Sequence, residues 1–110
     1  MNLEISSHDT YSIISFKGSL SVENLNILEE TLSKYYIKEH NIIIDLENIS
    51  FIDSSSLGIL VVYYTRLMEI NKKLIVVKVN EEIKKLLEMT GISKKILIAR
   101  SVDEALALLD

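Results

Sequence analysis

The residues best placed to do chemistry form one run, Asp53-Ser54-Ser55-Ser56-Leu57-Gly58. A carboxylate followed by hydroxyls suits the start of a helix, where Asp and Ser accept the amide hydrogens of the first turn. One or two such residues suffice for capping, and four stand here in a row. The spare hydroxyls would lie exposed at the positive end of the helix, open to phosphorylation. The run therefore reads both as a cap and as a modifiable surface.

Other candidates are thinner. Hydrolytic chemistry needs a nucleophile, a base and an orienting group, and histidine is the usual base. His8 and His40 are the only histidines, far apart in the chain, and each reads as a surface residue on a strand end or loop. They make no metal-ligand pattern, and the absence of cysteine removes disulfides and thiolate sites. Three glycines in all leave little room for a phosphate-cradling loop. Asp45 and Asp53 could share the carboxyl edge of a sheet, where α/β proteins often bind ligands, and would make a weak magnesium site. Nothing here demands an enzyme, a metal or a cofactor; the expectation is a protein-binding domain.

A chain of 110 residues is the length of one domain, taken here as 1–110, and its 48% apolar content is enough for a single core. A net charge of −4 without a basic stripe argues against nucleic acid or an anionic membrane as partner. No apolar run approaches the roughly 18 residues of a membrane span, and no signal-peptide pattern opens the sequence. The expected location is the cytoplasm, without membrane insertion.

The elements that must position the serine run follow from periodicity. Residues 3–8 and 11–17 alternate and predict an antiparallel hairpin at a sheet edge, the second strand stopped by Gly18. Ser21 offers an N-cap to an amphipathic helix carrying Val22, Leu25, Leu28, Leu32, Tyr35 and Tyr36. The β-branched run 42–46 lacks alternation and fits a strand covered on both faces. A helix over 54–70, a buried strand over 73–79, and a helix over 81–89 ending at Gly91 come next. A short strand over 96–99 and a closing helix over 101–109, capped by Ser101, complete the order ββαβαβαβα. That order is α/β, a mostly parallel mixed sheet of about five strands with four helices.

On the helix after the serines, Leu57, Leu60, Val61, Tyr64, Leu67 and Met68 form one apolar stripe that should face the sheet. Ile59 and Val62 fall on the opposite side, beside Gly58, Thr65, Arg66 and Glu69. Apolar groups there are either a partner's footprint or covered by neighbouring elements.

Taken together, these features resemble a STAS domain of the bacterial anti-sigma-factor antagonist family over essentially the whole chain. The resemblance rests on the strand 42–46 with Asp45, then Phe51-Ile52-Asp53-Ser54-Ser55-Ser56-Leu57-Gly58. Gly18-Ser19-Leu20-Ser21 and the segment 86–92 are weaker marks. It implies phosphorylation at Ser55, with Ser54 the runner-up, by an anti-sigma factor that is itself a serine kinase. It further implies that the unphosphorylated form binds that partner and frees the sigma factor, and that a PP2C-type phosphatase resets the cycle. The implied partner surface comprises Ser21, Asp53, Ser54, Ser55, Ser56, Gly58, Ile59 and Val62. Ser56 stands where the family most often has glycine, and Ser21 where it often has an acid. The alternative use of the same fold is a subunit that binds other cytoplasmic machinery, such as a transporter ATPase or a stress-signalling assembly.

Overall fold

The computed structural model describes residues 2–109. Five strands, β1 (Asn2–Ser7), β2 (Tyr11–Leu20), β3 (Asn41–Ile52), β4 (Leu74–Val77) and β5 (Leu97–Ala99), form one sheet in the order β1-β2-β3-β4-β5. β1 pairs antiparallel with β2 as the edge hairpin, and every other neighbouring pair is parallel. Helices α1 (Leu25–Ile37), α2 (Ser54–Glu69), α3 (Glu81–Met89) and α4 (Val102–Ala107) follow in the expected alternation.

The parallel strands are apolar without alternation because both faces of the sheet are covered. Ile42, Ile44, Leu74 and Val76 belong to the large core that also takes Leu28 and Leu32 of α1, Leu57, Leu60 and Leu67 of α2, and Ile83 and Leu87 of α3. Ile43, Ile75, Val77 and Ala99 point the other way, into a smaller core closed by Ala105 of α4. Ser101 caps α4 by accepting from the Glu104 amide, as expected. Gly91 takes the left-handed conformation just past α3, also as expected.

Several boundaries differ from the sequence reading. β2 does not stop at Gly18: that residue adopts φ +114 inside the strand, and pairing resumes through Ser19↔Phe51 and Leu20↔Ile52. β3 correspondingly runs to Ile52, beyond residue 46, with irregular pairing that absorbs extra residues. β4 is shorter than 73–79 because Lys78 turns left-handed at φ 59. Ser21 makes no side-chain cap; a 3-10 turn over Val22–Asn24 comes first, and α1 starts only at Leu25.

His40 corrects the expectation of two surface histidines. His8 is exposed and stacks on Tyr11. His40 is buried, with its Nδ1 2.7 Å from the Oγ of the fully buried Ser12. Ser12 Oγ lies 3.3 Å from Ser7 Oγ, so one polar chain ties β1, β2 and the segment after α1 together. Removing His40 leaves the Ser12 hydroxyl buried with a weaker partner, a loss of roughly 1–3 kcal/mol. Urea unfolding of His40→Ala should show that loss; an unchanged midpoint would mean that the pair contributes nothing to holding the hairpin.

Candidate functional site

The serine run begins where β3 leaves the sheet, and Asp53 organises it. Its amide donates to the Leu20 carbonyl at 3.0 Å, anchoring it to the end of β2. One carboxylate oxygen, Oδ1, accepts from the Ser56 amide at 2.9 Å, the N-cap bond of α2. The other, Oδ2, accepts from the Val22 amide at 2.8 Å, at the start of the 3-10 turn that leads into α1. Its carbonyl accepts the Leu57 amide at 3.0 Å, the first bond of α2. A single aspartate thus opens two helical segments, and it replaces the Ser21 cap that the sequence suggested.

These bonds favour the charged carboxylate. The Ser56 amide is the main cause that holds the Asp53 carboxyl below its ordinary range; partial burial opposes it, and the Val22 amide adds to it.

The three serines differ sharply in their surroundings. Ser54 and Ser55 are exposed at the first turn of α2. Ser56 points inward and is fully buried, and its Oγ has no hydrogen-bond partner among the described residues. Of the other residues of the expected surface, Gly58 and Val62 are exposed, Ser21 and Asp53 are half-buried at its edge, and Ile59 is half-buried against the large core. Ser56 therefore faces the interior, while Ile59 packs against the core with part of its surface still open.

The buried stripe of α2 is Ser56, Leu57, Leu60, Tyr63 and Leu67. It is rotated by roughly 60° from the expected one, at 100° per residue. Met68, expected inside, is exposed, while Val61 and Tyr64 are half-buried. The cause is α1, which packs beside α2 and gives it a second neighbour besides the sheet. Tyr63 turns toward it, meeting the Tyr36 ring edge-on at 6.0 Å, with the Arg66 guanidinium over its face.

Two exposed apolar side chains beside Asp53 escaped the sequence reading. Val22, assigned to the core face of α1, lies before that helix starts and is 65% exposed. Phe51, two residues before Asp53, is 55% exposed: at the register shift in the pairing with β2, Ser50 and Phe51 both lie outside between the buried Ile49 and Ile52. Strand alternation from the buried Ile49 would have put it inside; the irregular pairing with β2 that turns it out is non-local and leaves no mark in the sequence.

Asp45 and Asp53 do not form a joint site. Asp45 lies within β3, where its carboxylate faces Lys78 Nζ at 3.5 Å and accepts the Glu47 amide at 2.9 Å. No cluster of three or more metal-ligating side chains occurs among the described residues.

Two outcomes follow from this geometry. Ser56→Ala should raise stability by about 1 kcal/mol, since the buried hydroxyl lies near the Asp53 carboxylate without reaching hydrogen-bond geometry and alanine has the better helix propensity; a lower unfolding midpoint would mean that the hydroxyl bonds that carboxylate in solution. Asp53→Asn should lower the thermal midpoint at neutral pH. A carboxyl held below its ordinary range stabilises the fold fully above that range, and the contribution fades as pH falls through the lowered value. The gap between wild type and variant should therefore close in acid, and a gap constant with pH would rule out the ionised cap.

The family profile described as STAS domain matches residues 2–105. The anti-sigma-B factor antagonist of Staphylococcus epidermidis is 31% identical over 93 residues, which cover 84% of this chain and 86% of that protein. An anti-sigma factor antagonist from Mycobacterium paratuberculosis superposes with a TM-score of 0.87 at 23% identity, over 98% of this chain and 92% of the other. The Bacillus cell fate determinant SpoIIAA in its phosphorylated form gives 0.74 at 18% identity, over 97% and 98%. The two superpositions speak for the fold alone, whereas the profile and the staphylococcal relative speak for descent. On those grounds the chain belongs to the STAS domain family, in the company of the anti-sigma factor antagonists.

Proposed function

We propose that this chain is an anti-sigma factor antagonist whose partner affinity is switched by phosphorylation of the exposed Ser54–Ser55 pair. The observation that carries the reading is the split within the serine run. Two hydroxyls stand free at the start of α2, while the structural duties there fall to Asp53. The relatedness to a protein named as an anti-sigma-B factor antagonist supports the choice of partner.

The acceptor is Ser55, which the family resemblance names, or its neighbour Ser54, which is also exposed. Ser56 is ruled out as acceptor because its hydroxyl is sealed from solvent. The partner is an anti-sigma factor with serine-kinase activity, the location is the cytoplasm, and a PP2C-type phosphatase removes the phosphate. The contact surface consists of Ser54, Ser55, Gly58 and Val62, with Ser21 and Asp53 at its edge. Val22 and Phe51 extend its apolar part.

The physical basis of the switch is local. A phosphoserine adds roughly −1.5 to −2 charges beside the Asp53 carboxylate, and closing a partly apolar interface over them costs both repulsion and desolvation. About 3 kcal/mol of such penalty is a factor of roughly 100 in affinity. Refolding is not required.

The test uses the purified chain, ATP and the serine-kinase anti-sigma factors of the source organism, purified one by one. Intact mass should show one added phosphate, peptide mapping should place it on Ser55 or Ser54, and the double Ser54→Ala, Ser55→Ala variant should gain none. The phosphorylated chain should bind at least about 100-fold more weakly than the unmodified one. Equal binding by the two forms would sink the switch. Capture of a transporter ATPase from the native cytoplasm, with no kinase recovered, would favour the alternative use of the fold.

A further inference from the structure

Gly58 sits in the second turn of α2, exposed and in ordinary helical conformation. Nothing within the described residues calls for a glycine there. Beyond the surrounding backbone of α2 itself, a Cβ built on it would meet no atom of the described residues within 4 Å, and its backbone lies outside the left-handed region that favours glycine. Glycine inside a helix nonetheless weakens it relative to alanine. The other two glycines are different, since Gly18 at φ +114 and Gly91 at φ +78 occupy conformations that side chains resist.

The one glycine that the fold does not need is therefore the one beside the exposed serines. It follows Ser54 by four residues and Ser55 by three, the spacings that share a helix face. Val62, 41% exposed, continues that face four residues later. A bare Cα permits a closer approach by another backbone than any side chain would.

We infer that Gly58 is the point at which the anti-sigma factor's backbone comes closest to α2, so that helix stability is given up there for partner affinity. The inference rests on the proposed reading of the chain as an anti-sigma factor antagonist. That reading also identifies the occupant, because the 31% identical relative is named for acting on an anti-sigma factor. Two exposed hydroxyls on one side of Gly58 and an apolar Val62 on the other supply the mixture of polar and apolar contacts typical of protein interfaces.

The experiment reads stability and affinity in the same variants, Gly58→Ala and Gly58→Leu, against Glu69→Ala at the far end of α2. The probes are the purified serine-kinase anti-sigma factors of the source organism, with affinity measured by calorimetry. Gly58→Ala should melt a few degrees higher than wild type and bind about tenfold more weakly. Gly58→Leu should stay folded and lose about a hundredfold. Glu69→Ala should bind like wild type. The graded loss is the signature of a steric contact. An equal loss for Ala and Leu would mark helix stiffness as the cause and overturn the inference, as would Gly58→Ala binding within twofold of wild type. A lower melting point for Gly58→Ala would show that the fold needs the glycine, with the same consequence. If wild type binds none of the anti-sigma factors, the functional reading fails and takes this inference with it; if wild type binds and both variants bind equally well, only this inference fails.

Discussion

Everything at the carboxyl edge of β3 depends on one charged side chain that serves two helical segments at once. Asp53 divides its carboxylate between the Val22 and Ser56 amides, while its own amide and carbonyl join the end of β2 to the first bond of α2. Helix starts carry amides without internal partners. Here two such starts, far apart in the chain, converge on a single acceptor group. The carboxylate thereby fixes how α1 and α2 enter the same face of the sheet, and their side-by-side packing through Tyr36 and Tyr63 is the downstream result.

That junction needs strands that reach it, and β2 and β3 are longer than their apolar runs suggest. Ser15 pairs with Asp45 and Lys17 with Asn48, a register shift that lets the two strands stay together past the polar stretch Glu47-Asn48. A second shift follows Gly18, whose positive φ lets β2 turn and regain its partner at Ser19. The outcome is that Leu20 and Ile52 end the strands side by side, which puts the Leu20 carbonyl within reach of the Asp53 amide. Rigid elements thus hold the exposed serines, even though the serines themselves make no tertiary bond.

The order of elements and the parallel sheet were legible because long apolar runs and clear helix periodicity dominate this chain. Ile42-Ile43-Ile44 and Leu74-Ile75-Val76-Val77 have no polar face, and only a sheet covered on both sides accepts such strands. Non-local interactions were the part that could not be read. Ser21 looks like a cap by type, but the acceptor that matters for that turn comes from Asp53, 31 residues away. His40 looks like a loop histidine, yet Ser12 on another strand draws it inside. Helical periodicity locates the apolar stripe of α2 but carries no information about a second neighbour, so its rotation toward α1 has no local signature. The serine run shows both limits. Its location and capping role were local and readable, while the inward turn of Ser56 depends on what the core places behind it.

The same geometry bears on where the effect of an added phosphate would be felt. A phosphate at the start of a helix ordinarily gains from free amides and the positive helix end. In this chain the Ser56 amide already belongs to Asp53, and Leu57 to its carbonyl. To take the Ser56 amide, a phosphate would have to displace a carboxylate that also holds Val22, loosening the entry to α1 as well. Breaking the clamp would unsettle two helical segments to satisfy one group, which favours leaving it in place. The charge of such a phosphate would then turn outward, beside a carboxylate of the same sign, where solvent would screen it in the free protein and an approaching surface would have to strip that solvent away. The clamp that stabilises the fold would then also insulate it from a phosphate on Ser54 or Ser55, whose charge would be felt at an approaching surface and not in the packing of the chain that carries it.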